Sequence, residues 1–228
     1  MRRAYVESSV PLPDAVRTAL RWAGTGATIR VSDTRTVTVN PWLEQAGLPI
    51  TCASRRSRFY GPARGTVIGA LLNLSEVLEV ERERDQNVEG IVVLAAHGPF
   101  RLGSLPSHAP WVTAFDAECL GGNEIQRVPE LSAPLKATVE GLSTIAVHNQ
   151  GLVDCRDRWE AVQALTFLRA RGVRLEPDGL MVEALRNSWG GTGPEDLRQI
   201  AIDLNNGKKL RFEKRIRSER LEEWVRAK

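Results

Sequence analysis

Arg55, Arg56, Arg58 and Arg64 form one basic cluster with no acid inside it. Lys208, Lys209, Arg211, Lys214, Arg215 and Arg217 form a second. Guanidinium and ammonium groups concentrated in this way neutralise phosphates and release their counterions, which favours a polyanion over a small anion. From Lys208 to Lys228 nine basic residues stand against four acids (Glu213, Glu219, Glu222, Glu223), a local excess of +5 in a chain of net charge +3. The rest of the chain is therefore slightly acidic. Phe59 and Tyr60 lie within the first cluster, where a nucleobase could stack. The leading expectation is a protein that binds or processes nucleic acid, with both clusters on phosphate.

A helix-turn-helix would sharpen that expectation. Two helices, expected over 178–189 and 194–206, are joined by a short glycine-containing turn of suitable length. The second begins with Glu195 and Asp196, however, and acids at that end repel the DNA backbone. The segment from Lys208 to Arg217 is the better phosphate contact.

The rival expectation is a hydrolase-like α/β enzyme that binds a nucleotide or small molecule. His97-Gly98 ends the apolar run Ile91–Ala96, and in open parallel sheets ligands bind beyond the strand ends. Asp116 and Glu118 would supply acid–base or metal-holding carboxylates there, with Glu124 and Lys136 as further members of a Mg²⁺ site. His97-Gly98 followed 22 residues later by Cys119 resembles the histidine–cysteine arrangement of caspase-like peptidases, at a much shorter spacing. Glu124-Ile125-Gln126 resembles the acid-x-Lys element of restriction-type nucleases, with Gln in place of Lys. Arg64-Gly65-Thr66 at a helix start would offer backbone N–H groups to a phosphate.

Other chemistry is disfavoured. No glycine-rich phosphate loop and no Gly-x-Ser-x-Gly elbow occurs. His97, His108 and His148 lack metal-ligand spacing, and the residues point to no particular cofactor. Cys52, Cys119 and Cys155 are too few and too scattered for a disulfide framework or a structural zinc, which fits a reducing cytoplasm. No apolar run approaches a membrane span, and Met1-Arg2-Arg3 is not followed by the apolar segment of a secretory signal.

The elements that must position these residues follow from periodicity. Helices are expected over 13–22, 66–84, 109–120, 132–147, 157–171, 178–189 and 194–206, with a last one from Ser218. Val67, Leu71, Leu74 and Leu78 carry the second of these. A β-hairpin is expected over 29–39, turning at Ser32-Asp33-Thr34. A buried strand covers 91–96, and short strands are expected at 125–128 and 210–212. The order is that of a three-layer, Rossmann-like α/β core with an N-terminal β-hairpin, spanning 1–150. A helical C-terminal portion with a basic tail spans 151–228. Trp159, Trp189 and Trp224 fall on faces of its helices as core or interface residues. Such a helical end also allows the blander role of an interaction module, assembling as a homodimer.

Overall fold

The computed structural model describes residues 1–52, 57–82, 88–98, 107–145, 152 and 155–227. The chain divides into two compact units, Met1–Arg127 and Val128–Lys228.

The first unit is built on one six-stranded sheet: β1 (Arg2–Glu7), β2 (Thr28–Val31), β3 (Ile50–Cys52), β4 (Gly65–Ala70), β5 (Val88–Ala96) and β6 (Glu118–Gly121). Their order is β3-β2-β4-β5-β1-β6, and every pairing is parallel. Parallel sheets need both faces covered, and alternate side chains on each strand serve the two faces. Ala4, Val6, Ile29, Val31, Ile68, Ala70, Val92 and Leu94 turn one way. They pack on α1 (Leu12–Ala23), α2 (Thr34–Val39) and α3 (Trp42–Gln45). Arg3 turns the other way, toward α4 (Leu74–Arg82) and α5 (Ala109–Phe115). There the buried Glu81 carboxylate takes Arg3 Nε at 2.9 Å and Trp111 Nε1 at 2.7 Å, and Arg3 also lies over the Phe115 ring. This is the expected three-layer, Rossmann-like α/β architecture.

Several local expectations are corrected. Residues 66–70 are a buried strand, and the helix begins only at Leu74. A strand covered on both faces is apolar at every position, so it satisfies the helical period by default. The helix start is marked by Asn73, whose backbone and side chain exchange hydrogen bonds with Glu76 at 2.8 and 3.0 Å. No hairpin forms at 29–39. β2 pairs in parallel with β3, which demands a crossover, and Asp33 caps α2 by accepting from the Thr36 N–H at 2.9 Å. The helix from Ala109 stops at Phe115, with Asp116 left-handed (φ 53°), and Glu118–Gly121 is the edge strand β6. Residues 125–128 and 210–212 join no strand, whereas β1 and β3 arise where no element was expected.

The second unit contains α6 (Ala133–Ile145), α7 (Cys155–Ala170), α8 (Pro177–Arg186), α9 (Gly193–Asn205) and α10 (Ser218–Val225). Leu135, Val139 and Leu142 of α6 share one core with Leu165, Leu197, Ile200, Leu221 and Trp224. With α6 sharing that core, the compact units divide at Arg127/Val128, whereas the expected boundary lies at 150/151. Among the described residues no helix is long and apolar enough to cross a membrane.

Candidate nucleic-acid interface

The second basic cluster lies on a segment without regular secondary structure that follows α9. Gly207, with φ 79°, closes that helix, and Lys208 N–H returns to Asp203 O at 3.0 Å. Residues 208–217 then cross the helical core as a strap. Leu210, Phe212 and Ile216 point inward, and Ile216 is buried. Lys209, Arg211, Lys214, Arg215 and Arg217 are exposed.

One buried side chain fixes this strap. Gln163 of α7 donates from Nε2 to Ile216 O at 2.8 Å. Its Oε1 accepts from the N–H groups of Arg215 and Ile216 at 2.8 and 2.9 Å. A helix side chain thus supplies the donor and acceptor that a neighbouring strand would otherwise provide.

The cations divide into two sets. Lys208 binds Asp203 at 2.7 Å, and its hydrogen bond, with that of Gln199, holds the Asp203 carboxyl below its usual range. Arg215 reaches Glu213 at 3.4 Å and lies over the Trp159 ring, 5.3 Å from its centroid. Lys209, Arg211, Lys214 and Arg217 have no acidic partner among the described residues. Of the nearby acids, Glu222 is engaged by Arg171.

The first cluster looks different. Arg58 pairs with Glu44 at 2.6 Å and stacks on Phe59. Arg64 is exposed; its carbonyl accepts from Thr28 Oγ1 at 2.9 Å. Arg55 and Arg56 lie outside the described residues. Arg64-Gly65-Thr66 opens a strand, not a helix, so the expected phosphate-binding helix start is absent there. The helix-turn-helix reading also fails on geometry. The start of α9 is covered, with Gly193 and Pro194 buried, and Arg198 is tied to Asp178 of α8 at 2.6 Å.

The proposed catalytic constellation is split across the sheet. His97 follows the carboxyl end of β5. Asp116 and Glu118 precede or begin β6, at the opposite, amino edge, since all strands run the same way. Asp116 is 85% exposed and paired with Arg127, while Glu118 accepts from Trp22 Nε1 at 3.2 Å. Cys119 lies opposite Tyr5 of β1, whereas His97 lies just past Ala96, which is opposite Glu7. With β1 between them, two interstrand spacings, about 10 Å, separate them laterally, so they form no dyad. Among the described residues no group of three or more His, Cys, Asp or Glu is placed to hold a metal ion.

Two features at the carboxyl edge escaped the sequence reading. His97 N–H donates to His108 Nδ1 at 3.2 Å. An amide can only donate, so Nδ1 is bare, and Nε2 carries the proton and donates to Leu72 O at 3.0 Å. Burial and the adjacent His97 push the His108 pKa down to about 4, which keeps the ring neutral. His97 Nε2 is itself buried and has no hydrogen-bond partner among the described residues. The second feature is Glu7, which follows no recognisable motif. Burial pushes its carboxyl up, but hydrogen bonds from Ser9 Oγ, Ser8 Oγ and the N–H groups of Ser9 and Asn123 outweigh this and bring its pKa to about 2. A carboxylate so well satisfied is a poor base at neutral pH, and it ties the end of β1 to the turn after β6.

Residues 135–225 match the family model described as a domain of unknown function (DUF1889). The match lies wholly within the second unit and includes both Gln163 and the strap. No curated protein and no solved structure matches the chain.

Proposed function

We propose that this protein binds nucleic acid by phosphate contacts from the strap at 208–217. The observation that carries this reading is the set of four exposed cations, Lys209, Arg211, Lys214 and Arg217, left without acidic partners among the described residues on a segment that Gln163 holds in place. Cations without ion pairs, on a backbone tied down at Arg215 and Ile216, break no ion pair and need less backbone ordering when a phosphate arrives. On the first unit, taken by itself, Arg64 is an exposed cation open to a phosphate, and Arg58, paired with Glu44, is less so. Fluorescence anisotropy with labelled oligonucleotides tests this. Replacing all four cations (Lys209→Gln, Arg211→Gln, Lys214→Gln, Arg217→Gln) is expected to reduce the slope of log K against log salt by about 3. An unchanged slope, or no binding by the wild type at low salt, rejects the proposal.

A second reading, a small-ligand site beyond the carboxyl ends of β4 and β5, is favoured by the buried His97 Nε2, which has no hydrogen-bond partner among the described residues. Leu71 and Ala95, which follow the paired residues Ala70 and Leu94, both adopt left-handed backbone (φ 59° each). Such strain in non-glycine residues concentrates at ligand sites. Under this reading a mononucleotide raises Tm in the wild type and not in His97→Ala. An equal shift in both, or none in the wild type, removes it.

A further inference from the structure

We infer that the strap's ligand is single-stranded nucleic acid, with one base stacked on Trp159; this rests on the proposed phosphate contacts and names their substrate class. The second unit has three tryptophans, and two are committed to the fold. Trp189 is 6% exposed and donates to Ser143 Oγ at 2.6 Å. Trp224 is 7% exposed and lies against Gly141. Trp159 stays half-buried, and its indole N–H has no protein partner among the described residues.

The position of Trp159 relative to the cations is set by the helix. It precedes Gln163 by four residues, so both stand on one face of α7. Gln163 holds the backbone of Arg215, and the Arg215 guanidinium lies over the Trp159 ring. The ring is therefore placed beside the strap at Arg215, which is one residue from Lys214 and two from Arg217. Planar guanidinium and indole together make a stacking surface for a base. Cations that follow a backbone next to an aromatic platform are the combination that sequence-tolerant single-strand sites use. A duplex keeps its bases stacked inside, where a ring on a helix flank does not reach them, so the platform contributes only to single strands.

Anisotropy with the full chain tests the inference, using labelled oligo(dT), oligo(rU) and a DNA duplex, each of roughly 12 nucleotides or base pairs. The single strands are expected to bind at least about 10-fold tighter than the duplex at equal salt. Trp159→Leu should weaken single-strand binding about 10-fold, leave duplex binding and the salt slope unchanged, and be largely rescued by Trp159→Phe. The relative strength of oligo(dT) and oligo(rU) separates DNA from RNA as the source. Equal losses on single strand and duplex, or no loss, overturn the inference while strap-dependent binding upholds the phosphate contacts. Absence of binding to any of the three overturns both.

Discussion

Gly141→Ala is expected to destabilise the second unit by about 1 kcal/mol net, although alanine is the better helix former. A Cβ at Gly141 would stand 2.6 Å from Trp224 Nε1 and closer still to two carbons of that ring. The obstruction is a rigid indole rather than the end of a flexible chain, so α10 as a whole must move. Overpacking of this kind costs typically 1–3 kcal/mol and occasionally more. The substitution also gains about 1 kcal/mol in helix propensity. A net loss therefore isolates the clash, because the two effects have opposite signs. Denaturant melts of the full chain should show a second-unit transition at lower midpoint with an unchanged m-value. A midpoint that stays or rises would mean that Trp224 has room to yield.

Gln163→Leu should cost more, about 2–4 kcal/mol, because it removes three hydrogen bonds at once. The N–H groups of Arg215 and Ile216 and the Ile216 carbonyl then lose their partner. The strap can leave them unsatisfied or detach and hydrate them. Detachment is the cheaper course, since residues 208–217 bury few side chains other than Ile216. Hydrogen exchange should report it as lost protection at Arg215 and Ile216. Nucleic-acid affinity is expected to fall about 10-fold with the salt slope retained, since every cation remains and only its ordering is lost. Retained protection and retained affinity would show that Gln163 does not hold the strap.

These two glycine and glutamine positions mark where the sequence stops being informative. The charge of 208–217 is visible in the residues themselves, and α9 declares itself through Pro194, the acids after it and Gly207. The buried run of β5 is equally plain. What periodicity cannot separate is a doubly covered strand from a helix, and Val67–Ala70 fits the helical period for that reason while forming β4. The controlling contacts are non-local: Gln163 acts on residues about fifty positions later, and Asn123 on Glu7 across 116. No local pattern announces such pairs. Trp159 shows the same limit from the other side. Its helical spacing is that of the buried tryptophans, and Trp224 too lies under a guanidinium, that of Arg220; only exposure sets Trp159 apart.

The place of β1 in the sheet has a bearing on how the chain is made. Its two hydrogen-bonded neighbours are β5 and β6, so Arg2 first meets a partner at Gly90 and Ala4 meets its second at Glu118. During synthesis the opening strand leaves the ribosome unpaired and stays so until roughly ninety further residues have followed. Pairings of such long sequence separation are slow to form, whereas in the second unit α8 and α9 pack together as neighbours in the chain. The first unit to be synthesised is thus the one whose topology delays its completion, and its apolar strand Ala4-Tyr5-Val6 is the segment that needs shielding in the interval.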